Sequence, residues 1–505
     1  MLRDYLFKRP MLLCGIICSI ISALGFISKS FIVIFALPLP ILIGLIIYKK
    51  ADAKFLFTSA LIFAFCLNML LTINKIESLK TYAGTEQRAE MVVLNVSYKS
   101  DEYYKSDVEV MKSDDLPKGT KLSVFYEPES LEVGKRISAN IKIKDIQSNS
   151  SKKMNYCNEI YLSANMSDIQ VIDSNGDFVL MTAERIKAYI KNTLFKYMDY
   201  SEAATLCALI FGEREYFTDE FYNYVKAAGV SHIMVVSGMH LSIFVLFFVK
   251  ICERLFYNKY IKAFIIFLVV ILLSVLCGFT MSILRAGFTY IIMALGIMLD
   301  RRGNAENTLG AAMTVILMLS PFAVFSVSLQ LSMLSTFGIL AVALPIIKAL
   351  ENNDVFKIGF VKTVISSIII SLSAMLLTLP VTIYVFGYVS TVSVLANLLI
   401  SSAVTFVICL ALIGLILNLV IPLISPPVFY LTQVITDYIN TVIEKLGSKD
   451  YATMEIPKRM VYLSLLAVFT VFWTLLCCKR RKNVLKLNQM KEKIVKEGGG
   501  KLKWH

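Results

Sequence analysis

Histidine is almost missing from this chain: there are three in 505 residues, His232, His240 and His505. No HExxH or HxH pair exists among them, which excludes the common histidine-based metal motifs. The ten cysteines show no paired CxxC spacing, so a cysteine zinc site is excluded as well. No GxxxxGK[ST] loop is present, so the chain carries no P-loop to power a reaction with nucleotide. Charge is scarce too. Asp, Glu, Lys and Arg make up 17% of the residues, against roughly a quarter in soluble globular chains. That shortage excludes an ordinary soluble protein.

What is present is apolar, at 57%, and it is blocked rather than spread. Met11–Ile27, Phe55–Leu71 and Phe264–Phe279 hold no charge at all. Runs of this kind predict about ten membrane helices, each needing about 20 residues to cross upright. Three come first: Met11–Ile27, Phe31–Tyr48 and Phe55–Ile73. Two further runs follow the first at once, so it is not expected to be a cleaved signal. A second block contains His232–Lys250, Ala263–Phe279, Ser282–Leu299, Thr308–Leu319, Phe322–Ile347, Gly359–Tyr384, Thr391–Leu419 and Met460–Cys478. Thr308–Leu319 is short for a crossing and Thr391–Leu419 long for one. Val428–Leu446 is amphipathic and is expected to lie on a surface. Nine cysteines sit in or beside apolar runs as small hydrophobes; Cys157 is the exception.

Between the blocks the pattern changes period. Ala89–Val96, Ser106–Met111, Lys121–Tyr126, Lys135–Ile146 and Glu159–Ile172 read as strands, with period two clearest in the fourth. Gly119, Pro128, Gly134 and Asn149 punctuate them as turns. Five short strands predict a small barrel of the OB type. Basic clusters at Arg3–Arg9 and Lys49–Lys54 place the N-terminus in the cytoplasm and, after three crossings, this domain outside. Residues 74–180 hold 17 acids and 14 bases, so the domain has no bulk basic surface for DNA. Tyr98, Tyr103, Tyr104, Phe125 and Tyr126 are either half-buried strand formers or stacking platforms.

The expected organisation is therefore an α-helical polytopic membrane protein with a small all-β extracytoplasmic domain. Residues 1–74 are a three-span anchor and 75–178 the β domain. Residues 179–230 are amphipathic and interfacial helices, 231–478 the main membrane domain and 479–505 a basic cytoplasmic tail. The tail holds ten Lys/Arg and two acids. One crossing per run would put it outside, against the charge rule, so at least one segment is broken, re-entrant or doubled.

The polar residues of the second block are few and clustered. Ala228–His240 reads AGVSHIMVVSGMH and holds two histidines, Ser231, Ser237, Gly229 and Gly238 at the head of an apolar span. On a regular helix His232 and His240 would stand about 12 Å apart, too far to share an ion. Ser237 and His240, at i and i+3, can touch, but Ser-Gly-x-His is no hydrolase elbow. Packing at a helix crossing or the lining of an aqueous path both fit. Arg285 lies three residues into its span, where it either snorkels or offers phosphate a planar fork. Gln330 and Asn397 are lone amides, interhelical glue or cavity lining.

Together these stretches resemble the ComEC-type competence proteins. The motifs are ALIFGER at 208–214, the AGVSHIMVVSGMH segment, Leu284–Ala286, Leu319–Phe322, Leu329–Ser332, Thr378–Pro380 and Leu395–Leu398, in that order. The resemblance spans about 203–421 and implies a membrane channel that passes one strand of DNA into the cytoplasm during natural transformation. It adds Gly212 and Glu213 to His232, Ser237, Gly238, His240, Arg285, Gln330 and Asn397 as candidates for the DNA path. It implies an external DNA receptor and a cytoplasmic ComFA-like motor as partners, beside membrane lipid and a second copy of the chain, and no cofactor. Many such proteins also carry a metallo-β-lactamase-like domain with an HxHxDH motif. This sequence has none, so a separate nuclease is expected. Leu329 stands where an aromatic is usual. The rival readings are a transporter or flippase of another anionic or lipid-linked substrate, and a membrane hydrolase using Ser237 and His240. The purified chain with divalent metal is expected to leave labelled DNA intact; degradation that co-purifies with it would contradict this.

Overall fold

The computed structural model describes residues 9–28, 53–98, 103–127, 131–172, 176–255, 258–301, 303–351, 356, 358–471, 473–474 and 477. The expected span at 31–48 and the tail at 479–505 lie outside them. The span expected at 460–478 is described in part, helical over 461–471. Seven described helices are long and apolar enough to cross a membrane. The chain divides into two units. The larger takes in residues 10–333 and 390–454. The smaller holds the described parts of residues 334–389 and 455 onward, with residue 9.

In the larger unit α1 (Pro10–Ser28) opens on a proline, whose missing N–H costs nothing in the first turn. It is followed by α2 (Ala53–Lys80). Backbone and side-chain polar groups at membrane depth need internal partners. Asn68 Nδ2 donates to the Met318 carbonyl at 2.8 Å, and Ser22 Oγ to that of Pro321. Gly15 and Gly310 bring two helices into near contact. A Cβ on Gly310 would stand 2.3 Å from Leu12 Cα, and one on Gly15 would stand 2.9 Å from the Gly310 oxygen.

The β domain is a closed barrel of β1 (Glu86–Tyr98), β2 (Tyr104–Ser113), β3 (Lys121–Tyr126), β4 (Arg136–Asp145) and β5 (Leu162–Ile172), ordered β1-β2-β3-β5-β4. Only β3 and β5 run parallel. The period-two signal of β4 sends Ile137, Ala139, Ile141 and Ile143 into the barrel. The sequence misses α3 (Asn149–Tyr156), where a turn was expected at Asn149. Its eight residues, NSSKKMNY, contain too few apolar side chains to show a helical period. Tertiary contact holds it instead. Tyr156 meets Phe26, Tyr161 and Phe322 at centroid distances of 6.1, 5.2 and 5.6 Å, and Lys153 stands 5.4 Å over Phe325. One apolar core thus runs from α1 and α2 through the barrel to residues 316–329. Tyr126 belongs to that core, with its hydroxyl 2.8 Å from Ser106 Oγ, and is not an open stacking platform.

Beyond the barrel come α4 (Phe178–Tyr197), α5 (Tyr200–Phe211) and α6 (Asp219–Ala227). Asp177 caps α4 by accepting from Val179 N and Leu180 N at 2.8 and 3.1 Å. Next are α7 (Gly238–Leu255), α8 (Lys259–Leu276), α9 (Met281–Met298) and α10 (Ala305–Leu319). The span expected at His232–Lys250 is corrected: the helix begins six residues later, at Gly238, and is not among the seven apolar spans. The single span expected at Phe322–Ile347 is a 3₁₀ turn, Ala323–Phe325, then a helix over Val327–Leu350 with a π segment at Ile339–Ala343. Within the smaller unit a Cβ on Gly338 would meet the Ser373 oxygen at 2.6 Å, and Gly359–Phe386 carries an internal Pro380. The long run at 391–419 is one unbroken 28-residue helix, Ser393–Val420. The helix Ser425–Gly447 is amphipathic, burying Phe429, Thr432, Thr436, Ile439 and Asn440 and leaving Tyr430, Leu431 and Val434 exposed.

Cys157 is buried, and burial pushes its thiol up to about 11. Met154, three residues away, is 69% exposed. A maleimide at neutral pH is therefore expected to label a Met154→Cys variant of the purified protein within minutes. Cys157 should react only after denaturation, read on its tryptic peptide by mass spectrometry.

Candidate functional site

The segment between α5 and α7 is built from turns that need glycine. Gly212 ends α5 in the left-handed region (φ +81°), its N–H bonded to the Ala208 carbonyl at 2.9 Å, and it abuts Val236 N. Gly229 ends α6 similarly (φ +71°); a Cβ there would stand 2.6 Å from both the Ser390 and the Ser393 Cβ atoms. Ser390 Oγ donates to the Ala227 carbonyl at 2.7 Å and fixes this approach. The chain then passes through 229–237 without regular helix and starts α7 at Gly238.

Ser237 caps α7. Its carbonyl accepts from Leu241 N–H at 3.2 Å and its hydroxyl from Met239 N–H at 3.3 Å. His240 returns the contact: its Nδ1 accepts the Ser237 backbone N–H at 3.1 Å, with Ser237 Oγ also 3.1 Å away. This is the reciprocal pattern of a capping box, with imidazole in the place normally held by a carboxylate. An Nδ1 that accepts a backbone N–H carries no proton, so the neutral ring holds its proton on Nε2. His240 is fully buried, and its Nε2 has no partner among the described residues.

Arg285 packs against this helix start from α9. It is 8% exposed. Its Nε donates to Ser332 Oγ at 2.7 Å, and Ser332 lies 3.3 Å from Ser282 Oγ. Among the described residues no carboxylate pairs with it. Its Nη2 lies so close to Gly238 that a Cβ there would stand 2.6 Å from it and 3.3 Å from Ala286 Cβ. Gly238 is therefore glycine for close approach, not for backbone freedom.

Of the sequence candidates, Ser237, Gly238, His240 and Arg285 come together. His232 is on the same loop but exposed. Gln330 serves its own turn, donating to the Val324 carbonyl at 2.7 Å. Asn397 keeps a buried Oδ1 with no partner among the described residues. Gly212 and Glu213 act as scaffold. Glu213 pairs with Lys191, and with Lys187 at 3.6 Å, on α4. Burial works against the charge of Lys191, yet Glu213, Tyr216 and Glu215 hold its pKa above the ordinary lysine value. Ser332 and Ser282 were missed by sequence. Ser332 ends the Leu-Gln-Leu-Ser motif, but nothing in its spacing says that it serves an arginine. In the barrel, Tyr103, Phe125, Asn140 and Asn165 line a cleft of about 680 Å³.

A family model described as Competence protein matches residues 209–481, more than half of the chain and all of this site. The chain belongs to the competence protein family and is a multi-pass membrane protein with a small β-barrel domain. It is 26% identical over 276 residues to ComE operon protein 3 of Bacillus subtilis (strain 168), a match covering 54% of this chain and 34% of that protein. The chain thus spans about a third of that relative's length. No solved structure matches the chain.

Losing the cap is expected to weaken the fold by about 1 kcal/mol in Ser237→Ala, which removes the hydroxyl and keeps the backbone bond to His240. His240→Ala loses that backbone bond as well and is expected to melt lower than Ser237→Ala. The comparison is of thermal midpoints of the detergent-solubilised proteins.

Proposed function

We propose that this chain forms the membrane path by which DNA, as one strand, passes into the cytoplasm during natural transformation. Family membership supports the DNA role. The observation that carries the path is the group at the start of α7: a buried guanidinium, a buried imidazole and a helix start entered through non-helical backbone. Such groups at membrane depth are costly, and non-helical backbone is tolerated there where it is buried in protein or lines water. On this reading the β barrel faces outside and receives DNA from an external receptor, and the basic tail lies in the cytoplasm. Force comes from a separate motor of the ComFA kind, since the sequence has no P-loop.

The hydrolase alternative fits less well. Ser237 Oγ accepts Met239 N–H as a cap, and the His240 nitrogen beside it already accepts a backbone N–H. No described carboxylate orients the ring from Nε2. A serine held this way is a structural cap, not an activated nucleophile.

His240→Ala and Gly238→Leu are expected to abolish DNA uptake while membrane levels stay normal, as measured by transformation and by internalised labelled DNA. Normal uptake by a well-expressed His240→Ala protein would remove the cluster from the path. For the barrel, an impermeant maleimide is expected to label Met154→Cys in intact cells; labelling only after permeabilisation would reverse the orientation.

A further inference from the structure

The site around Arg285 has donors without acceptors. The guanidinium uses one N–H, at Nε, on Ser332 Oγ. Its Nη groups meet no acceptor among the described residues, although the side chain is more than nine-tenths buried. They point at the first residue of α7, an 18-residue helix. The N-terminus of a helix carries partial positive charge and free N–H groups. A cation placed there is repelled, unless something negative sits between them. His240 lies in the same first turn, two residues beyond Gly238. The backbone bond to Nδ1 fixes the proton on Nε2, and that buried N–H has no acceptor among the described residues. Cation and helix start ask for the same missing group, an anion.

We infer that Arg285 and the N-terminal turn of α7 form a cradle for a single phosphate group of a nucleic-acid strand. The inference rests on the proposed DNA path and names what that site holds. Phosphate suits the donor set. A guanidinium fork binds two oxygens of a tetrahedral oxyanion, and helix N-termini accept the same group. The absent Cβ of Gly238 is what lets the fork lie against the helix start. No base edge is read here, so the cradle is indifferent to sequence, as a path for arbitrary DNA requires.

The test uses the full chain purified in detergent without phosphate, at low ionic strength. Thermal midpoints are followed against inorganic phosphate, oligothymidylate and the same oligomer with neutral methylphosphonate linkages, with chloride matched for ionic strength. The wild type is expected to be stabilised by phosphate and by oligothymidylate, and not by the methylphosphonate oligomer. Arg285→Lys keeps the charge without the fork and is expected to bind roughly tenfold more weakly. Gly238→Ala pushes the fork away and is expected to lose the effect. Arg285→Met supplies the second readout. Removing a buried charge that lacks its counter-ion is expected to raise the midpoint in phosphate-free buffer, whereas a merely structural arginine would lower it. Equal stabilisation of wild type and Arg285→Met by phosphate would overturn the cradle, as would a lower midpoint for Arg285→Met without phosphate. Stabilisation by anionic phospholipid and not by oligothymidylate would overturn the nucleic-acid assignment. These outcomes are independent of transport: a cradle that binds phosphate in a protein that moves no DNA would refute the path and leave the cradle standing.

Discussion

A guanidinium with no carboxylate partner among the described residues lies against the start of a helix, and much of the membrane domain around it follows from that contact. Removing a cation from water is expensive, and a low-dielectric setting makes each missing partner costlier. Arg285 therefore needs a close-fitting environment, and the chain supplies it locally. Position 238 carries no side chain, so the fork can approach the α7 backbone. Ser332 takes the Nε proton, and Ser282 stands beside Ser332. Ser237 and His240 lock the first turn of α7 by reciprocal bonds, so its free N–H groups stay in place. Upstream, Gly212 and Gly229 fold the connection back, and the pairing of Glu213 with Lys191 braces that connection against α4.

Elsewhere the same accounting is settled inside single helices. Ser274, Thr289, Thr314 and Thr378 each donate to the carbonyl four residues earlier, which removes their cost without any long-range partner. Against that background, the groups left over stand out. Among the described residues they include the Nε2 of His240, the Oδ1 of Asn397 and the Oε2 of Glu202, and Arg285 makes its hydrogen bond through Nε alone. The barrel is tied to the first spans by a shared apolar core, with Tyr156 among Phe26, Tyr161 and Phe322.

The larger features were legible in the sequence because they depend on period and hydropathy. Alternation in KRISANIKIKDI placed β4, and apolar runs placed Lys259–Leu276 and Met281–Met298 within a few residues. Polar residues in apolar surroundings marked Ser237, Gly238, His240 and Arg285. Three things were not legible. The helix Asn149–Tyr156 has no apolar period and is held by rings distant in sequence. The start of α7 was placed too early, because residues 233–236 are apolar while the cap at Ser237 works through one hydroxyl and one imidazole. The joining of Arg285 to Gly238 is a contact between residues 47 apart in number, and a single sequence carries no signal of it.

The central claim is that the strand passes the α7 start. A photo-crosslinking amino acid at Met239, beside the cradle, tests this most directly when labelled DNA is taken up under illumination. The control position is Leu268, 54% exposed on α8 and expected to face lipid. The account predicts a DNA adduct at position 239 that needs ongoing uptake, and none at 268. No adduct at 239 in cells that take up DNA normally, or equal adducts at both positions, would contradict it.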